Sequence, residues 1–150
     1  MRPARPADED ALVALWDEVE ALHARIQPRF FRPVGTGRRG RARIAGDETV
    51  LVAEDARGSV CGLLHLRIYD TPRAPLLVSV RRGHVEDLVV ARCHRRGGCG
   101  RALLEAGTAW ARSHGARQLL LTVWDGNAAA ERFYAALGYR RISQVLGTDL

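Results

Sequence analysis

Leu12, Leu15, Trp16, Val19, Leu22 and Ile26 recur at spacings of three and four. That period predicts an amphipathic helix from about Asp8, its cap, to about Gln27, with Pro28 ending it. The pattern then changes. Thr49 to Glu54 and Val60 to Tyr69 are apolar, β-branched runs separated by the turn residues Asp55 to Ser59, and they predict a hairpin. A loop with Pro72 and Pro75 leads to a further strand-like run, Leu76 to Val80. Arg82-Gly83 precede a strand from His84 to Val90 that ends in Leu88-Val89-Val90.

A helical period returns from about Gly98 to His114, with Leu103, Leu104, Ala106, Trp110 and Ala111 on its expected buried face and Gly115 as its stop. Gln118 to Trp124 contains Leu119-Leu120-Leu121 and predicts a strand; Asn127 to Leu137 predicts a short helix stopped by Gly138; Arg140 to Leu146 predicts a last strand. Gly35 to Gly46, rich in Gly and Arg, predicts a loop or a short helix. The order β-α-loop-βββ-α-β-α-β implies a mixed α/β (α+β) fold with helices on both faces of a mixed sheet. No repeat or linker divides the chain, so one domain over residues 1–150 is expected.

Composition narrows the functional classes. The 150 residues are 47% hydrophobic, enough for one core. No apolar run approaches the roughly 20 residues that span a bilayer. No secretory signal follows Met1-Arg2-Pro3, so a cytoplasmic protein with no membrane partner is expected. The formal charge is +6 and every basic residue is arginine. A positive surface favours anions. The densest basic run, Arg38-Arg39-Gly40-Arg41-Ala42-Arg43, has no interleaved aromatic residues for base stacking, and nucleic acid is not the expected partner. Cys61, Cys93 and Cys99 are an odd number in a chain for which no secretory signal is expected, which argues against a disulfide framework. Cys93-His94 with Cys99 fits no usual zinc spacing, so no metal is expected.

The chemistry-bearing stretch is Val89-Val90-Ala91-Arg92-Cys93-His94-Arg95-Arg96-Gly97-Gly98-Cys99-Gly100-Arg101. Here a strand gives way, through a turn with three glycines, to a helix start. The first turn of a helix offers unpaired N–H groups and partial positive charge, and glycine lets a ligand approach the backbone. A phosphate or pyrophosphate fits such a place, with Arg95, Arg96 and Arg101 adding charge. Gly-Lys-Ser/Thr and Gly-x-Gly-x-x-Gly are both absent, which removes P-loop hydrolysis and dinucleotide-dependent hydride transfer.

Arg95-x-x-Gly98-x-Gly100 at this turn resembles the acyl-CoA motif of the GNAT superfamily of N-acetyltransferases. His84 to Val90 resembles that family's central strand. Trp124-Asp125-Gly126-Asn127, followed by Phe133-Tyr134-Ala135-Ala136-Leu137-Gly138-Tyr139, resembles its Asn-then-Phe-Tyr segment. The likeness is strong over Gly83 to Tyr139. It implies a mostly antiparallel central sheet flanked by helices, and acetyl-CoA as the acyl donor. By the resemblance, the backbone of Leu88, Val89 and Val90 pairs with the pantetheine arm. The amides of Arg96, Gly97, Gly98, Cys99, Gly100 and Arg101 hold the pyrophosphate, Asn127 hydrogen-bonds the donor, and Tyr134 lies near the thioester sulfur. Cys99 departs from the usual aliphatic residue and His94 from a frequent aromatic one. The family often dimerises, so a homodimer is a further expectation.

Such a reaction needs a base, because an alkyl amine of pKa near 10.4 is free to roughly one part in 2,500 at pH 7. Glu86 matches the family's base, acting directly or through water. On a regular strand Glu86 shares a face with His84 and Leu88, while Asp87 points the other way and braces the fold. Tyr134 is the expected acid to the departing CoA thiolate. His23, Arg29, Phe30, Phe31, His84 and Trp124 are candidates for holding the acceptor, a small-molecule or peptide amine; His84, His23 and the aromatic pair also suit structural roles. The alternatives are an acyl-CoA-binding module without turnover or with another acyl group, and a basic nucleic-acid-binding protein.

Overall fold

The computed structural model describes residues 1–32, 49–72, 75–76 and 78–148. The Gly35–Gly46 segment, with its arginine run, lies outside them.

Five strands form one sheet in the order β1-β2-β3-β4-β5. They are β1 (Arg2–Pro3), β2 (Thr49–Glu54), β3 (Val60–Asp70), β4 (Arg81–Val90) and β5 (Gln118–Leu121). Neighbours from β1 to β4 run antiparallel; β5 joins β4 in parallel. The helices are α1 (Glu9–Ile26), α2 (Cys99–Ser113) and α3 (Ala128–Ala136). The fold is therefore mixed α/β with a mostly antiparallel sheet flanked by helices.

β2 and β3 read as continuous apolar runs because both their faces are covered. On one face, Leu12, Leu15 and Trp16 of α1 pack with Val50, Val52, Leu63 and Val89. On the other, Leu103 and Leu104 of α2 pack with Leu51, Ala53, Cys61, Leu64, Leu66 and Val85, joined by Phe133 and Tyr134 of α3. Burying a leucine or a valine so completely contributes ~1.5–3 kcal/mol. α2 lies close to the sheet because Gly107 has no side chain: a Cβ there would stand 2.3 Å from Leu64 Cδ2. Gly107 was not on the expected buried face, which periodicity drew from apolar side chains alone.

Three expectations are corrected. The Leu76–Val80 run forms no strand among its described residues; Leu76 and Val78 are 97% and 77% exposed. Thr71 closes this loop, its hydroxyl donating to the Val80 carbonyl at 2.7 Å. β4 accordingly starts at Arg81 and takes Arg82-Gly83 into its ladder. Arg140 to Leu146 forms no strand either. Its apolar residues Ile142, Val145 and Leu146 are 73%, 96% and 83% exposed, with no second face to bury them. Asp8 stands at the start of α1 but does not cap it by side chain. Its carboxylate accepts instead from Arg2 and from the Arg5 amide, and Arg2 holds it down at about 2.

A fourth correction sets the site. From Gly62 to Asp70 β3 pairs with β4 without skipping a residue of its own, but the β3–β4 register passes from His65↔Asp87 to Leu66↔Val85. Glu86 is thus an extra residue, a β-bulge. It places Val85 and Leu88 in the same α2-side cluster although they stand three positions apart. Leu88 therefore does not share a face with Glu86 and His84, and Asp87 does not point away from them. A two-residue period cannot foresee an inserted residue.

Candidate functional site

The ladder between β4 and β5 runs from Arg82↔Gln118 to Val85↔Leu121 and stops at the bulge. Beyond it, Glu86 is the inserted residue, and Asp87 to Val90 pair with β3 alone among the described residues. The edge of Leu88, Val89 and Val90 away from β3 thus has no partner strand among the described residues and is able to take an extended ligand, although Arg95 holds the Val90 carbonyl. That edge runs directly into the glycine turn.

At the turn, Gly98 has φ +83° and stands before the first residue of α2, with no side-chain cap. Arg96 also lies at positive φ, 65°. The first bond of α2 runs from the Ala102 amide to the Gly98 carbonyl at 3.0 Å. The amides of Cys99, Gly100 and Arg101 therefore have no acceptor within the helix. A Cβ on Gly98 would meet nothing within 4 Å among the described residues, and one on Gly97 only the His94 carbonyl at 3.7 Å. Left-handed backbone, open space and uncapped amides fit a diphosphate. Gly100 rests over Phe133, whose ring would lie 3.4 Å from an added Cβ.

Arg95 turns away from this opening. Its Nε donates to the Val90 carbonyl at 2.9 Å and its terminal nitrogen pairs with Glu18 of α1. It fixes the turn against the first helix, whereas Arg96 and Arg101 are exposed. His94 reaches the β2–β3 turn at Asp55, 3.5 Å away, and contacts Cys93 Sγ. Cys99 faces inward instead. Burial, with Cys61 beside it, pushes its thiol up to about 11, so it behaves as a small apolar side chain. Among the described residues no group of three His, Cys, Asp or Glu is placed to hold a metal. None of the described helices is long and apolar enough to cross a membrane.

On the α1 side of the bulge, Glu86 Oε1 accepts from His84 Nδ1 at 2.9 Å and pairs with Arg67. Asp87 is buried, and its Oδ2 accepts from the Trp16 indole at 3.1 Å and lies 3.3 Å from His65 Nδ1. Trp16 and His65 also meet edge to face, 6.2 Å between ring centres. Trp16 is thus core, as its spacing suggests, but it is also a polar anchor for β4. The polar roles of Trp16 and His65 are not legible along the chain, because their shared partner Asp87 is brought to them only by the folding of β4.

Tyr134 sits in the α2-side cluster beside Phe133 and Tyr139, ring centres 5.1 and 5.6 Å away. Burial pushes its phenol up to about 12, with Tyr139 and the negative charge of Asp87 acting in the same direction. Asn127 caps α3, its Oδ1 accepting from the Ala130 amide at 3.2 Å, and its NH₂ group remains a possible donor to a ligand. The structure also gathers the aromatic candidates. His23 lies against Phe31 at 5.0 Å, and Trp124 touches Phe31 at 4.7 Å and Phe30 at 5.6 Å. Gln27 ties this cluster's two segments together, donating to the Asp125 carbonyl at 2.8 Å. Two grooves of about 340 and 430 Å³ open elsewhere, beside α2 and Tyr139; Glu86, His84 and the open β4 edge line neither.

Comparison with known proteins matches this architecture. The sequence pattern of the Acetyltransferase (GNAT) family covers residues 16–139. A mycothiol acetyltransferase of Amycolatopsis mediterranei is 35% identical over 95 residues, which are 63% of this chain and 31% of that protein. An uncharacterized N-acetyltransferase, YobR of Bacillus subtilis, is 36% identical over 62 residues, 41% of this chain and 25% of its own. The chain thus spans less than a third of the length of these curated relatives. A crystal structure of a variant BH1408 protein from Bacillus halodurans superposes with a TM-score of 0.91 at 29% identity, covering 99% of this chain and 98% of that one. An aminoglycoside N-acetyltransferase in complex with CoA shares the fold at 16% identity and a TM-score of 0.69, covering 99% and 97%. From the match over residues 16–139, together with the split between β4 and β5 and the glycine turn, this chain belongs to the acetyltransferase (GNAT) family.

Proposed function

We propose that the chain is an acetyl-CoA-dependent N-acetyltransferase that acetylates a primary amine of a small molecule or peptide. The observation that carries this reading is the continuity of the open β4 edge with the uncapped start of α2. An extended pantetheine arm suits Leu88, Val89 and Val90, and a diphosphate suits the amides from Arg96 through Gly97, Gly98, Cys99 and Gly100 to Arg101. Arg95 serves by holding the turn, and Asn127 by donating its amide to the donor. Relatives named for mycothiol and aminoglycosides are in keeping with a small acceptor.

The chain's own groups divide the work. Glu86 supplies the base, directly or through water, and Tyr134 the acid. A phenol raised to about 12 keeps its proton through neutral pH and has it ready for a departing thiolate. His23, Phe30, Phe31 and Trp124 form an aromatic wall for the acceptor, suited to a cation by their π faces.

The test is calorimetric titration of the CoA-stripped chain with acetyl-CoA, followed by an amine screen for release of CoA thiol. Binding with turnover is expected. Binding without turnover of any amine would favour an acyl-CoA-binding module; no binding at millimolar donor would sink the proposal.

A further inference from the structure

Glu86 need not receive the amine's proton itself. The bulge puts its Oε1 against His84 Nδ1 at 2.9 Å, and the same oxygen pairs with Arg67. Arg67 stands directly across from His84 in the β3–β4 register and lies over the Tyr69 ring at 5.5 Å. Two donors therefore already occupy Oε1. A carboxylate can only accept, so the imidazole proton in this contact belongs on Nδ1. In the neutral ring, Nε2 then carries the lone pair, and it has no hydrogen-bond partner among the described residues. His84 also occupies the right place. It pairs with Leu120 in the ladder whose last pair is Val85↔Leu121, so it stands where β4 and β5 part. Its side chain is 21% exposed, accessible without being fully solvated.

We infer that His84 Nε2 is the proton acceptor of the reaction, and that Glu86, clamped by Arg67, is the positioning residue that fixes its tautomer and orientation. This rests on the acetyl-transfer reading and specifies its base. A carboxylate holding Nδ1–H so that Nε2 can act is the general logic of a His–carboxylate pair. The protons balance as follows. An ammonium acceptor gives one proton to Nε2, which passes it to solvent. The free amine attacks the acetyl carbon, the N–C bond forms and the C–S bond breaks. Tyr134 protonates the thiolate and is reprotonated by the second proton that the nitrogen sheds on becoming an amide.

The experiment uses the full chain with acetyl-CoA and its best amine, comparing kcat, KM and acetyl-CoA affinity for His84→Ala and Glu86→Gln. A glutamine still offers Nδ1 an oxygen acceptor, so Glu86→Gln should lose about tenfold in kcat, whereas His84→Ala should lose ~10²–10⁴-fold. Acetyl-CoA affinity should stay unchanged in both, and millimolar imidazole should restore part of the His84→Ala rate, which a merely structural histidine would not allow. A deeper loss in Glu86→Gln than in His84→Ala would assign the proton to Glu86, through its other oxygen, and overturn the inference. Failure of imidazole to raise the His84→Ala rate would also overturn it. An unmodified chain that binds no acetyl-CoA would bring down the acetyl-transfer reading itself, a distinguishable failure.

Discussion

The two halves of β4 have the same strand chemistry and opposite uses. From Arg82 to Val85 the strand has a partner on each edge, β3 and β5. Beyond the inserted Glu86 it has β3 alone among the described residues. One inserted residue divides them. The first half is closed on both edges and tightly packed on its α2 side: Gly83 is so tightly covered that an added Cβ would stand 2.9 Å from Leu119 Cδ1 and 3.1 Å from the Ala111 Cβ. The second half keeps an edge free for a ligand and turns two carboxylates, Glu86 and Asp87, toward α1. A bulge thus converts a structural strand into a working one without disturbing its neighbour β3.

Deleting Glu86 should break the contrast most severely. The β3 register is already regular on both sides of the bulge, so the shortened chain should still fold, with a near-native thermal transition. Its acetyl transfer should fall by ~10³-fold or more as the carboxylate that orients His84 and the split are lost together. An active deletion variant would refute the role given to the bulge.

Gly98→Val attacks the other end of the open half. A β-branched residue at φ +83° is strained, and its side chain enters the space offered to the diphosphate. Acetyl-CoA affinity should drop by about a hundredfold in calorimetry, roughly the loss of two charge-assisted hydrogen bonds. Unchanged affinity would move the diphosphate elsewhere.

Tyr134→Phe should lower kcat by about 10- to 100-fold with little change in donor KM. The phenol's raised value has a second consequence with a definite sign. Below pH 10 both folded and unfolded chains keep this proton; above it the unfolded chain loses it first. The tyrosine should therefore make stability fall between pH 10 and about 12, and Tyr134→Phe should flatten that fall in urea titrations.

Gly83→Ala should have the smallest effect on catalysis. Its Cβ must displace Leu119 or Ala111, at a cost of about 1–3 kcal/mol in stability. The folded variant should retain its kcat, since the added methyl meets Leu119 and Ala111 on the α2 side, the face away from the neighbouring His84.

The glycine turn, the three helices and the strands that became β2 to β5 were legible in the sequence because local periodicity and turn chemistry specify them. α1, for example, spans Glu9–Ile26 against an expected Asp8 to Gln27, and α2 spans Cys99–Ser113 against Gly98 to His114. Leu76–Val80 and Arg140–Leu146 misled because an apolar run makes a strand only where another strand lies alongside it. Strand pairing is a long-range event. The same is true of the site. The motif residues Gly98, Gly100, Asn127 and Tyr134 stand out by spacing along the chain. The bulge at Glu86, the Arg67 clamp, the Trp16–Asp87–His65 cluster and the meeting of His23, Phe31 and Trp124 join residues up to about a hundred positions apart. Sequence alone determined where the glycine turn would form, since backbone geometry there depends on glycine and its neighbours. Only the tertiary structure decided which side chains face one another across strands, because one extra residue reverses the alternation on which any reading of a strand depends.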